Sequence, residues 1–185
     1  EAPLVSIRFS GKWRLVARDA FNGVRLWERP IARWNDHLRH FRSGPAHLPR
    51  RLAVFGDTVF VTDGFGGPVL AIAGATGETI REFAGSESTE EILVTADALY
   101  LAVGTSEANR RGGGLHRRGE PEPTSFRSIM AFSRDSGDLL WQRDCSATQI
   151  LPLSMAVKGD RLYYQSATGI TCLNAHSGSE LWVTP

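Results

Sequence analysis

The segment Ala131-Phe-Ser-Arg-Asp-Ser-Gly-Asp-Leu-Leu-Trp141 decides the fold, because its 11-residue pattern occurs four times along the chain. A small residue opens each copy, Asn, Thr or Ser precedes a glycine, and Trp follows that glycine four positions later in three copies. The other copies run from Ala17 to Trp27, from Ala71 to Arg81 and from Cys172 to Trp182. The second copy departs from the pattern, with Ala73 at a usually polar position and Arg81 in place of Trp. Such repetition indicates stacked copies of one structural unit.

The centre of each copy has the composition of a β-hairpin turn. A glycine there lies between two runs of strand-forming residues, where a tight turn needs a positive φ that glycine adopts without strain. Asp19 and Asn174 are expected to cap their turns by accepting hydrogen bonds from nearby backbone N–H groups. The turn pairs are Asn22-Gly23, Thr76-Gly77, Ser136-Gly137 and Ser177-Gly178.

The strand after each turn carries apolar residues on both faces. Side chains alternate along a strand, so the leucine and the tryptophan that end three of the copies point in opposite directions. Burial of both faces is what stacked sheets require, and Trp27, Trp141 and Trp182 are predicted to pack between them. The leucines concerned are Leu26, Leu140 and Leu181.

A second hairpin precedes each of the last three copies. Its strands are predicted at 52–55 and 58–61, at 92–95 and 98–102, and at 155–157 and 161–164. One repeat is therefore four antiparallel strands joined as a meander. The first copy has only Leu4 to Phe9 and Trp13 to Arg18 ahead of its turn, which leaves it about one strand short.

The repeat Ala-x-Asp-x-x-Thr-Gly-x-x-x-Trp, preceded by a Val-x-x-Gly-Asp-x-Val-Tyr-Val hairpin, resembles that of pyrroloquinoline-quinone (PQQ)-like β-propellers. This resemblance covers nearly all of the chain. It implies an all-β propeller of four-stranded antiparallel blades, with about four blades present, the first of them partial, in an incomplete ring. The chain looks most like the propeller part of large bacterial multidomain proteins, some of which also carry a methyltransferase domain. The resemblance favours the bacterial periplasm or cell envelope.

The spacing of the turn glycines, 54, 60 and 41 residues, divides the chain into blades and insertions. A single propeller segment is predicted over residues 1–185. The predicted parts are blade 1 at about 1–30, an insertion at 31–50, blade 2 at about 51–86, blade 3 at about 90–146 with an insertion at 105–127, and blade 4 at about 150–185.

The insertions hold the candidates for a binding site. His37, His40 and His47 are the only candidate metal ligands, but no acidic or thiol partner beyond Asp36 lies at a ligand spacing, so a polar surface loop is preferred. The run from Arg110 to Arg118 is compatible with a phosphate or an acidic partner. Its three consecutive glycines and the prolines that follow favour a mobile connector instead.

Composition and motifs argue against several classes of function. The net charge of +1 gives no general attraction to nucleic acid, and no apolar run reaches the roughly 20 residues of a membrane helix. Catalytic quinoproteins of the resembled family use adjacent cysteines, whereas Cys145 and Cys172 are far apart in sequence. A disulfide between these two stays open at this point. No nucleophile triad is recognisable, so neither a cofactor nor an enzyme activity is expected.

The favoured hypothesis is a non-catalytic binding or scaffold module that engages a protein or an adjacent domain of a parent chain. The chain starts at Glu1 without an initiating Met, which suggests a processed or excised segment. An incomplete ring would expose two apolar blade faces, so a homodimer that completes the propeller is an alternative partner. Two other readings are part of a PQQ-dependent dehydrogenase whose cofactor site lies in missing blades, and the accessory propeller of a methyltransferase-containing protein.

Overall fold

The structure is a computed structural model that describes residues 14–31, 50–64, 66–104, 126–148, 150–151 and 153–185. Within these ranges the chain forms fourteen strands and no helix. Trp13 and Trp34, the three candidate histidines, the Arg110 to Arg118 run and the predicted strand from Leu4 to Phe9 lie outside the described residues. None of the described residues belongs to a helix that could cross a membrane.

Four separate antiparallel sheets follow one another along the chain, and each is called a blade below. In every sheet the strands are hydrogen-bonded in sequence order, as a meander requires. Blade 1 consists of β1 (Arg14–Arg18) and β2 (Arg25–Pro30). Blade 2 consists of β3 (Leu52–Phe55), β4 (Thr58–Thr62), β5 (Val69–Ala73) and β6 (Thr79–Phe83). Blade 3 consists of β7 (Thr89–Val94), β8 (Ala98–Gly104), β9 (Phe126–Ser133) and β10 (Leu139–Asp144). Blade 4 consists of β11 (Ala156–Lys158), β12 (Arg161–Ser166), β13 (Gly169–Asn174) and β14 (Glu180–Thr184). The prediction of an all-β fold built from four-stranded antiparallel blades is confirmed, and the ring is not closed.

The last hairpin of every blade has the same register. The small residue that opens the 11-residue pattern is the cross-strand partner of the residue that closes it, and the register shifts by a bulge just after this pair. Directly opposed side chains in an antiparallel pair lie close together, so a small residue leaves room for a large one. The four pairs are Ala17 with Trp27, Ala71 with Arg81, Ala131 with Trp141, and Cys172 with Trp182.

Three apolar clusters fill the spaces between the blades. Between blades 2 and 3, the ring of Phe83 lies 6.2 Å from that of Phe60 and 5.8 Å from that of Phe132. Between blades 3 and 4, Tyr100 and Trp141 pack with Leu162 and Tyr164. A smaller cluster joins blades 1 and 2 and includes Leu15, Trp27, Val61, Leu70 and Ile72. The middle strands β5 and β8 are accordingly buried on both faces.

The prediction that both faces of the outer strand of each blade are buried is wrong. The outer strands are β2, β6, β10 and β14. Leu26, Leu140 and Leu181 keep 55%, 51% and 48% of their surface exposed. The equivalent residue of blade 2, Ile80, is 56% exposed. In blades 1 to 3 the following blade covers the face of the outer strand that carries the Trp or Arg side chain. The opposite face of the outer strand stays exposed in all four blades of the described structure.

Both cysteines are buried free thiols. The disulfide that the sequence left open between Cys145 and Cys172 is not formed.

Candidate functional site: the joints between blades

The four turns of the repeat share one hydrogen-bonding scheme. The N–H of each turn glycine donates to the carbonyl of the residue four positions earlier, over 2.8–2.9 Å, and the N–H of that earlier residue donates to the carbonyl just after the glycine, over 2.8–2.9 Å. The four glycines have φ between 70° and 82°, a conformation that favours glycine. These glycines are Gly23, Gly77, Gly137 and Gly178.

Side chains fix the same turns. Asp19 Oδ1 accepts hydrogen bonds from the N–H groups of Phe21 and Asn22, and Asn174 Oδ1 accepts from those of His176 and Ser177. The residue before each glycine accepts a further hydrogen bond from the N–H just after the glycine. The acceptors are Asn22 Oδ1, Thr76 Oγ1, Ser136 Oγ and Ser177 Oγ. Each turn is thus held rigidly by its own residues.

Three of these turns each receive a large side chain from the preceding blade, and this contact is called a joint below. The indole N–H of Trp27 donates to the carbonyl of Gly74 in blade 2 over 2.7 Å, and that of Trp141 donates to the carbonyl of Ala175 in blade 4 over 2.8 Å. Both acceptors lie three residues before the turn glycine. The rings lie so close that a Cβ added at Gly77 would meet Trp27 at 2.7 Å, and one added at Gly178 would meet Trp141 at 2.5 Å. The turn therefore needs glycine for space as well as for backbone conformation.

Arg81 makes the corresponding contact between blades 2 and 3. Its Nη1 donates to the carbonyls of Arg134, over 3.3 Å, and of Asp135. Its stem covers Gly137, where an added Cβ would meet Arg81 Cδ at 2.5 Å. Arg134 again lies three residues before the glycine. A guanidinium on an apolar stem supplies both the cover and the donor that tryptophan supplies, so the irregular copy keeps the joint.

A second contact lies two residues beyond the docking side chain. Arg29 Nη1 donates to Thr79 Oγ1 over 2.6 Å in the joint between blades 1 and 2. Arg143 Nη2 lies 2.6 Å from Glu180 Oε2 in the joint between blades 3 and 4. In both cases the partner lies two residues after the turn glycine, so these two joints are two-point contacts. These outer pairs are partly exposed and each contributes less than about 1 kcal/mol.

The two ends of the described structure carry the unmatched halves of such a joint. Trp182 is 41% exposed, and the ring contact that it makes is with Tyr163 of its own blade, at 6.0 Å between centroids. At the other end, a Cβ added at Gly23 would meet nothing within 4 Å in the described part of the chain. Blade 4 thus presents a docking side chain, and blade 1 presents a turn that could receive one.

A partly buried group of charged residues links the segment before β3 to β7. Arg50 forms a parallel bridge with Glu91, its carbonyl accepts a hydrogen bond from the Ile92 N–H over 2.8 Å, and its Nη1 lies 3.4 Å from Glu91 Oε1. Arg51 pairs with Glu90, with 3.3 Å between Nη2 and Oε1. Arg51 and Glu91 are only 3% and 1% exposed.

Burial dominates the electrostatics of this group. It raises the pKa of the Glu91 carboxyl, against the opposing effects of Arg50 and of hydrogen bonds from the backbone of Met155 and Leu153 in blade 4. Burial also lowers the pKa of Arg51, and Glu90 opposes this change. Glu91 therefore connects blades 2, 3 and 4, which gives the group a structural role. Across the described ranges no set of three or more metal-ligating side chains comes together.

Sequence reasoning did not anticipate three features of the contacts between blades. These are the carbonyl that receives the indole, the ability of Arg81 to replace Trp, and the inner charged group. The constant position of the acceptor, three residues before each glycine, was the available signal for the first feature. For the second, the signal was the combination in arginine of an apolar stem with a planar donor.

Comparison with known proteins agrees with this architecture. A family model described as outer membrane protein assembly factor BamB matches residues 14–185. Among solved structures, BamB from Moraxella catarrhalis is similar with a TM-score of 0.55 and 15% identity, over 93% of this chain and 46% of that chain. The computationally designed proteins Ika4 and Ika8 are each similar with a TM-score of 0.52 and 14% identity over 77% of this chain, covering 75% of Ika4 and 38% of Ika8. No curated protein sequence matches the chain.

The solved structures are too distant in sequence to show more than the fold, and the chain spans less than half the length of BamB and of Ika8. The family match, by contrast, extends over nearly the whole chain, from β1 to β14. This chain belongs to the PQQ-like β-propeller family whose model is described as outer membrane protein assembly factor BamB.

Proposed function

We propose that this propeller segment is a non-catalytic interaction scaffold whose open blade face holds another protein or a further domain. The observation that carries the proposal is the exposure of Trp182, because Trp141, at the equivalent position of an occupied joint, is only 9% exposed. A partly exposed tryptophan whose N–H has no acceptor among the described residues suits a protein partner, which can cover the ring and accept the hydrogen bond.

The frame behind this face is suited to scaffolding. The joints hold adjacent blades together through indole or guanidinium donors and buried apolar clusters. A rigid frame lowers the entropy lost on binding, since the docking face is already ordered. The BamB description of the family names an assembly factor, and this supports an interaction role for the present chain.

Site-specific photo-crosslinking tests the proposal. A photo-reactive amino acid at Thr184 would lie on the same face of β14 as Trp182, whereas one at Val183 would lie on the opposite face. The protein is irradiated in cells that express it in its full natural context, and the crosslinked peptides are identified by mass spectrometry. We expect crosslinks from Thr184 to one defined protein or domain and far fewer from Val183. Equal labelling from both positions would contradict a specific docking face.

The dehydrogenase alternative has its own test. Titration of the chain with PQQ and calcium, followed by absorbance and by thermal unfolding, is expected to give neither a spectral change nor a rise in Tm. A saturable spectral change together with a higher Tm would replace the scaffold proposal with a cofactor-binding role, because a ligand that binds only the folded state stabilises it.

A further inference from the structure

We propose that the open joint is filled by a second copy of this chain, in a head-to-tail contact that is made twice. In this contact Trp182 of one copy lies on the turn of Gly23 in the other, and its indole N–H donates to the carbonyl of Ala20. The inference rests on the proposed scaffold function and names the partner of its docking face.

The receiving turn in blade 1 already has the form of an occupied one. The Gly23 N–H donates to the Asp19 carbonyl over 2.9 Å, and the Asp19 N–H donates to the Val24 carbonyl over 2.8 Å, as at the three filled turns. Ala20 lies three residues before Gly23, which is where the filled turns place the acceptor carbonyl. The space above Gly23 is open in the described structure, whereas the same space is filled at each of the other turn glycines. The site is therefore preformed.

The second contact point is also complementary. In the joint between blades 1 and 2, Arg29 of the docking strand bonds Thr79 of the receiving strand. At the open ends the equivalent positions hold Thr184 on the docking strand and Arg25 on the receiving strand. The same two residue types would thus meet with their roles exchanged. The Arg25 side chain is 59% exposed and is available for this contact beside its ion pair with Glu28.

Exposed apolar surface at the receiving end points in the same direction. Phe21 lies within the turn, two residues before Gly23, and is fully exposed, and Val24 just after the glycine is 58% exposed. The other three turns have Ala75, Asp135 and His176 at the position of Phe21. A docked blade that carries Trp182 would cover this apolar surface, which is otherwise unfavourable in water.

The number of copies follows from the geometry of head-to-tail contacts. Such contacts either close into a ring or continue as a filament. Propellers close with about 4–8 blades, so two copies of nearly four blades suffice and a third would exceed this range. A closed dimer is the expected assembly.

The test is the mass of the 185-residue chain in solution, measured by sedimentation equilibrium over a range of concentrations. We expect twice the 20.3 kDa of the single chain. Gly23→Ala is expected to weaken association by about tenfold or more, because its Cβ would occupy the space that the indole needs. The matched control is Gly56→Ala, which has a similar φ, 56° against 71°, and an equally open surrounding but lies in a different hairpin.

A second pair of variants probes the docking side. Trp182→Ala is expected to abolish the dimer at concentrations where the wild type is fully associated, whereas Leu181→Ala, 48% exposed on the opposite face, is expected to leave the mass unchanged. A mixture of Gly23→Ala with Trp182→Ala retains one intact joint per pair, and its association is expected to exceed that of either variant alone. Hydrogen exchange of the wild-type amides from Ala20 to Arg25 should slow with rising protein concentration, and this measurement does not depend on the folding of a variant.

A monomeric wild type, or a dimer that survives both Gly23→Ala and Trp182→Ala, would overturn the second-copy proposal. Crosslinks from Thr184 to a different protein or domain would overturn it as well, yet would leave the scaffold function standing. The scaffold function itself fails if Thr184 shows no crosslinks beyond those from Val183, or if PQQ and calcium bind, so the two failures are distinguishable.

Discussion

Replacing Gly178 by alanine should cost clearly more stability than the same change at Gly159, although both glycines have a positive φ. Their φ angles are 70° and 58°, so alanine pays a similar backbone penalty of about 1–2 kcal/mol at either position. At Gly159 the new methyl group meets nothing within 4 Å, whereas at Gly178 it would lie 2.5 Å from a ring carbon of Trp141. Forcing the buried indole aside adds about 1–3 kcal/mol.

Urea unfolding with linear extrapolation is the appropriate assay. We expect Gly178→Ala to lower the free energy of unfolding by about 2–5 kcal/mol and Gly159→Ala by about 1–2 kcal/mol. Gly77→Ala, which would meet the ring of Trp27 at 2.7 Å, should resemble Gly178→Ala. Gly137→Ala should be milder, because it meets the flexible stem of Arg81, which can move away.

A double-mutant cycle isolates the contact between the glycine and the ring. In a Trp141→Ala background the methyl group at position 178 no longer meets an indole, so the excess cost over Gly159→Ala should vanish and appear as a coupling energy of about 1–3 kcal/mol. Trp141→Ala itself costs about 3–5 kcal/mol, and a stabilising osmolyte keeps all variants within the measurable range. Equal losses for Gly178→Ala and Gly159→Ala, or additive behaviour in the cycle, would refute the joint geometry described above.

Three further predictions concern other parts of the frame. Arg81→Trp should raise the Tm in thermal unfolding, since a larger ring restores the repeat pattern over Gly137; a lower Tm would show that this joint is adapted to arginine. Burial raises the pKa of Glu91, so the native state holds this proton more tightly than the unfolded chain. The free energy of unfolding should therefore fall as pH rises from the ordinary value of 4.5 through the raised pKa, and Glu91→Gln should remove that part of the pH dependence in urea titrations. Cys145, whose thiol pKa is raised by burial, and Cys172 should react with a maleimide only after unfolding; labelling of the native protein would contradict their burial.

The local structure of this protein could be predicted from sequence because it depends on neighbouring residues. A glycine with positive φ between two strand-forming runs specifies a hairpin wherever it occurs, and the Gly137 and Gly178 turns are both found at the predicted places. Spacing also predicted that Trp27, Trp141 and Trp182 pack between blades. Trp27 and Trp141 contact the following blade, whereas Trp182 is 41% exposed in the described structure. The register of the last hairpin, with Ala131 opposite Trp141, adds the reason why a small residue opens the pattern.

The features that could not be predicted depend on contacts between blades. Arg50 and Glu91 are 41 residues apart in sequence, and the approach of β7 to the segment just before β3 brings them together. The exposure of Leu140 likewise depends on how far the neighbouring blade extends over the outer strand, which alternation of side chains does not specify. The alternation of residues along a strand indicates which side chains share a face, but it does not indicate whether a second sheet covers that face.

The joint explains why one repeat contains both a docking side chain and a glycine turn, because the two belong to opposite sides of the blade. Blades 1, 2 and 3 each give a Trp or Arg to the blade after them, and blades 2, 3 and 4 each receive one, so the described row has one unused donor and one unused turn. Arg81 shows that a charged side chain can also make this contact. The presence at position 182 of a large ring that is 41% exposed is a cost in water unless something covers it. A partner that covers the ring removes that cost. A turn like the one from Asp19 to Gly23 offers the flat surface over its glycine and the acceptor carbonyl three residues earlier that the ring requires.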